Sequence, residues 1–137
     1  MTALRELSAV ELLAGYHGKE FSPSEVLEDV LAHVAKWEPH IHALYAFDPD
    51  GARVVAKAST ERWRKGEPIG SLDGVPITIK ENIATKGVPV PLGAATTTLT
   101  PAPVDAPQAA RVREAGAVIF SKTTMPDYGM LSSGLSS

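Results

Sequence analysis

The stretch Leu72-Asp73-Gly74-Val75-Pro76-Ile77-Thr78-Ile79-Lys80-Glu81-Asn82-Ile83 decides the fold. Asp73-Gly74 is a turn dipeptide, and the β-branched residues behind it alternate in the manner of a strand. Ile77 and Ile79 then point to one sheet face while Thr78 and Lys80 point to the other. The strand ends on a lysine, held by rigid backbone rather than by a loop tip. The next segment is opposite in character: from Ala84 to Pro107 the chain is rich in proline, carries Gly87 and Gly93, and includes a polar Thr96-Thr97-Thr98 run. Such a density of breakers predicts a long loop, and long loops inside compact domains are usually functional or mobile. A strand-end lysine beside a long loop is the first candidate for chemistry, with Glu81 and Asn82 expected to fix the turn between them.

Upstream of this stretch the helix signals are local and strong. Ser8 and Glu11 form a capping box that starts a short helix ending near Gly15. Ser22 as N-cap, Pro23 in the first turn and Glu25 at the third position start a second helix. Val26, Leu27, Val30, Leu31, Val34 and Trp37 recur along it with helical period, and Pro39 is expected to end it. Ile41 to Phe47 is apolar and aromatic, too short for a helix, and reads as a strand. Asp48-Pro49 repeats the cap-then-proline signal for a helix that runs to Lys65 and stops at Gly66. Downstream, Asp105 opens a helix through Ala109, Ala110, Val112 and Arg113. Gly116 caps it, and Ala117-Val118-Ile119-Phe120 reads as a buried strand. The order helix, helix, strand, helix, strand, helix, strand predicts an α/β fold: a layered domain over residues 1–137 with a mixed, largely buried sheet flanked by helices.

Composition narrows the function classes. The 137 residues make one ordinary domain, 44% hydrophobic and 21% charged, which is the balance of a folded chain. The net charge of −3, with signs interspersed, offers no case for nucleic acid or a membrane surface. Cysteine is absent, which removes disulfides, thiolate metal sites and a cysteine nucleophile. No apolar run approaches a membrane span or signal peptide, so the cytoplasm is the default expectation. His40 and His42 sit at period two on the expected strand, but no carboxylate cluster at ligand spacing joins them, and no metal is assigned. Gly15, Gly18 and Lys19 lack the preceding strand and following hydroxyl of a phosphate loop.

Three stretches together resemble the amidase signature family, whose members cleave or transfer amides with a Ser–Ser–Lys triad. The first is the segment from Leu72 to Ile83. The second is Asp105-Ala106 followed by Arg111-Val112-Arg113-Glu114-Ala115-Gly116-Ala117-Val118-Ile119. The third is Lys122-Thr123-Thr124-Met125-Pro126-Asp127-Tyr128-Gly129-Met130. The resemblance implies an incomplete amidase signature fold in which Lys80 is the catalytic lysine, accepting the proton of the nucleophile through a bridging serine. It implies an acyl pocket near Gly129, Met130 and Leu131, a small-molecule amide substrate, and no cofactor. The family's serines lie in a Gly-Gly-Ser-Ser-Gly-Gly stretch and a following Gly-Gly-Ser segment, neither present here; Ser132, Ser133, Ser136 and Ser137 lack those flanks. The expected partner is therefore a C-terminal portion of the same fold, without which the chain should be inactive, and a homodimer is compatible. Two other readings stay open. One is the A subunit of a tRNA-dependent amidotransferase, and the other is a non-catalytic module that binds a partner or its own remainder.

Overall fold

The structure, a computed structural model, describes residues 2–130. Helix α1 (Ala9–Gly18) opens on the expected capping box, in which Ser8 and Glu11 satisfy each other's backbone N–H groups. It runs past Gly15 because that glycine is a packing residue: a Cβ there would collide with the Phe21 ring. Helix α2 (Pro23–Ile41) starts on the second capping box, Ser22 with Glu25.

Pro39 does not end α2. It sits in the last turn, where it forgoes one bond to the preceding turn, and the helix closes on His42 in the left-handed conformation with φ 48°. This overturns most of the strand expected over 41–47. Ile41 belongs to the helix, and Glu38 reaches forward to accept the amides of Ala43 and Leu44 at 3.2 and 2.8 Å. Only β1 (Leu44–Tyr45) remains. His40 and His42 therefore share no strand face: one is helical and the other is the cap. Helix α3 (Pro49–Lys65) follows the reading closely, with the Asp48 side chain accepting from Gly51 N and Gly66 left-handed at its end.

Two apolar clusters hold these helices. Leu27 and Leu31 of α2 and Ala52 and Ala56 of α3 pack on Val118 and Phe120 of the sheet. Leu12 and Tyr16 of α1 pack on Val26 and Val75, with Phe21 and Trp63 around them. Trp37, expected on the core stripe, is 44% exposed, because the packing ends a turn before it.

The sheet has order β1-β3-β2, with β2 (Pro76–Lys80) and β3 (Val118–Thr123) parallel and β1 antiparallel to β3. It is mixed and flanked by helices, as the sequence predicts, with the central strand buried and the two edges half-buried. Parallel neighbours need a crossover, supplied here by the long loop and α4 (Pro107–Glu114). Asp105 does not cap α4. Its carboxylate takes Lys86 N at 2.7 Å and Arg113 Nε at 3.0 Å, tying the loop to the helix, while Ala106 holds the cap position with no side-chain bond. Gly116 has φ 89°, and a Cβ would lie 2.8 Å from Asp73 Cα, so this close approach requires glycine. Among the described residues, no helix is long and apolar enough to cross a membrane.

Candidate active site

The site is built on β2, which is fastened at its start by Asp73. That carboxylate is fully buried and accepts Ser59 Oγ at 2.7 Å, Ile69 N at 2.9 Å, and both Arg62 Nε and Arg62 Nη2, at 2.8 and 2.5 Å. Its backbone carbonyl takes Trp63 Nε1 at 3.0 Å. Burial alone would raise the carboxyl, but the bonds from Arg62, Ser59 and Ile69 outweigh it and hold Asp73 below the usual carboxylate range. Beside it, Tyr16 Oη donates to Gly74 O at 3.0 Å, and burial, then the Asp73 charge, raises the phenol.

At the other end, β2 delivers Lys80 to the rim of the sheet. Ile79 is 5% exposed and packed, whereas Lys80 is exposed. The chain turns at once: Ile83 N donates to Lys80 O and Glu81 N to Thr123 O, both at 3.0 Å. Glu81 is buried, and its Oε1 accepts Gly93 N, fastening the long loop to this turn. On β3, paired with Ile79, Lys122 is also buried, and its Nζ donates to Ile83 O at 2.8 Å. Burial lowers the Lys122 ammonium from its ordinary range, and the Glu81 charge opposes that. Tyr45, the β1 partner of Lys122, has its phenol raised by burial and then by Glu81.

A cleft of ≈ 250 Å³ opens beside the turn, lined by Glu81, Pro91, Gly93, Ala94, Thr97 and Leu99 among others. A larger one of ≈ 380 Å³, around Tyr16, Phe21 and Trp63, includes no residue of the turn after Lys80. We place the candidate site at the smaller cleft, because Glu81, which lines it, directly follows Lys80. Gly129, with φ 69°, closes a 3₁₀ turn, and Met130 after it is 83% exposed. Neither lines the cleft, although Tyr128 N donates to Leu92 O and so ties this segment to the cleft's loop. Leu131 lies outside the described residues, as do the serines after it. No group of three or more metal-ligating side chains occurs among the described residues.

The Amidase family profile matches residues 25–137. The chain belongs to the Amidase family. It is 37% identical over 133 residues to the A subunit of glutamyl-tRNA(Gln) amidotransferase from Acidothermus cellulolyticus, covering 97% of this chain and 26% of that protein. It superposes on a crystal structure of an amidase with a TM-score of 0.82 and 32% identity, over 90% of this chain and 28% of that one. A peptide amidase from Stenotrophomonas maltophilia gives a TM-score of 0.80 and 26% identity, over 90% of this chain and 26% of that one. The chain thus spans about a quarter of the length of the curated relatives it matches.

Within this Amidase-family chain, sequence patterning places Lys80 at a strand end and Glu81 at the turn after it but misses the burial of Glu81 and Lys122, and it marks Lys122 only as the start of the third resembling stretch. The reason is an irregularity: Ile77 pairs with Ile119 but Thr78 pairs with Ser121, so β3 carries one extra residue, Phe120. Neighbouring Phe120, Ser121 and Lys122 are then all buried, which no period-two reading anticipates. The usable signal is a lysine one serine beyond an apolar strand run.

Proposed function

We propose that this chain supplies the lysine of an amide-cleaving enzyme, with Lys80 as the proton acceptor of a Ser–Ser–Lys triad and an acyl-enzyme as intermediate. The observation that carries the reading is the placement of Lys80: the last residue of a strand fastened at its start by Asp73, followed by a turn gripped from two sides whose first residue, Glu81, lines a cleft. A serine hydroxyl becomes a nucleophile only when a base takes its proton. A lysine serves as that base when its neutral form is favoured, which desolvation provides. In the whole protein that cover comes from chain packed over the exposed rim, which also carries the serines.

Of the two catalytic settings, the A subunit of a tRNA-dependent amidotransferase is the better supported. The curated relatives at 35–37% identity bear that name, whereas the solved amidases lie at 32% and below. In that setting the amide cleaved is that of glutamine, and the ammonia released is passed to a misacylated tRNA. As an amidase the protein would hydrolyse a free carboxamide through the same lysine.

The test is Lys80→Arg in the protein expressed from its natural reading frame. Arginine keeps the charge but does not give up its proton, so ammonia release from glutamine or a carboxamide should fall at least about a hundredfold. Activity within about a factor of two of the parent would exclude a general-base role.

A further inference from the structure

We propose that Lys122 is a positioning residue for the reaction at Lys80: its buried ammonium fixes the turn that follows β2, and Glu81 ties that turn to the Gly93 loop. The inference rests on the assignment of Lys80 as the proton acceptor.

Lys122 is 2% exposed and is the one buried cation among the described residues. Burying an ammonium is costly unless its hydrogens find acceptors. Lys122 directs one to Ile83 O, 39 residues away in sequence. The same carbonyl accepts Thr85 Oγ1 at 3.3 Å, and the Ile83 amide donates to the carbonyl of Lys80. Lys122 therefore holds the far side of a turn whose near side is Lys80 itself. Its own Cα is fixed on the central strand in register with Ile79, the residue before Lys80. The bond carries the rigidity of the middle of the sheet to a turn beyond its edge.

Glu81 works on the same turn from inside the loop. Its amide is bound to Thr123 O, and its carboxylate holds Gly93, a wall of the cleft. Its charge also favours the cationic form of Lys122. A side chain that only filled this space would need no charge, and methionine would serve as well.

The experiment compares Lys122→Met, Lys122→Arg, Glu81→Gln and Lys80→Arg in the protein expressed from its natural reading frame. Misplacing a catalytic group by about an ångström costs up to about a hundredfold. For Lys122→Met, kcat per folded molecule should fall about 10- to 100-fold while KM stays within about threefold. Lys122→Arg, which can still donate to Ile83 O, should recover kcat to within about tenfold of the parent. The acid limb of kcat/KM against pH should move in Lys122→Met. A space-filling role would lower stability and leave the limb in place. Parental kcat with an unmoved limb in folded Lys122→Met overturns the proposal. If Lys122→Met does not fold, the same result in folded Glu81→Gln, which loses the charge facing Lys122, overturns it. Lys80→Arg separates the two ideas: if it is active, the assignment of Lys80 has failed. If it is inactive while the Lys122 and Glu81 variants match the parent, only the positioning role has failed.

Discussion

The two ends of β2 are built on opposite plans. At its start, Asp73 meets Arg62 directly, with Ser59 and Ile69 completing the shell, so a buried charge is neutralised and every bond is short. At its finish, Glu81 and Lys122 are buried on either side of a turn and act on each other through their charges, each bonded to backbone instead. Lys80 stands exposed between them and the solvent. The first end is a lock and the second is a mount. A strand held hard at one end can present a reactive group at the other without needing that group for its own stability.

This contrast can be broken most easily at the lock. Asp73→Ala leaves Arg62 and Ser59 without their acceptor, and removing one partner of a buried pair typically costs about 3–5 kcal/mol. Urea unfolding should register a loss of that size; less than about 1 kcal/mol would mean that the network is incidental. The pH dependence sharpens the same point. The folded Asp73 carboxyl lies below its unfolded value, so its contribution is complete above the unfolded pKa of about 4 and disappears as pH falls through the folded value. The parent should therefore lose stability below about pH 4 more steeply than Asp73→Asn. Parallel acid profiles would contradict the direction assigned to this group.

Smaller effects are expected one step away. Tyr16→Phe removes the bond to Gly74 O and should cost about 1 kcal/mol. It should also flatten the alkaline limb of stability: the folded phenol holds its proton to higher pH than the unfolded one, so the parent loses this contribution as pH rises through about 10. Ser22→Ala, which removes no bond of the Asp73 network or of the turn after Lys80, tests whether local caps matter independently. It should lower stability by about 0.5–1 kcal/mol with kcat unchanged, because a cap fixes a helix end and touches nothing in the cleft.

The pattern of what the sequence discloses follows from distance along the chain. Caps at Ser8, Ser22 and Asp48 are legible because each is completed within three residues. The strand-end position of Lys80 is legible because turn chemistry and β-branching are local too. Pro39 misleads because its position within a helix, not its identity, decides whether it breaks one. Glu38 holding Ala43 and Leu44 then erases most of a strand that the apolar run suggests. The buried charges are legible only in part: Glu81 is expected at the turn, but neither its burial nor that of Lys122 is. Lys122 is satisfied by Ile83, and Glu81 is bound to Gly93, partners that only the folded topology brings near.

The central claim is that β2 separates stability from chemistry, and one paired measurement on Lys80→Ala tests it directly. In the protein expressed from its natural reading frame, the variant should unfold in urea within about 0.5 kcal/mol of the parent, since an exposed side chain is being removed. Its rate of amide cleavage should fall at least about a hundredfold. An unfolding curve that shifts by more than about 2 kcal/mol, or a rate within about twofold of the parent, would contradict the account.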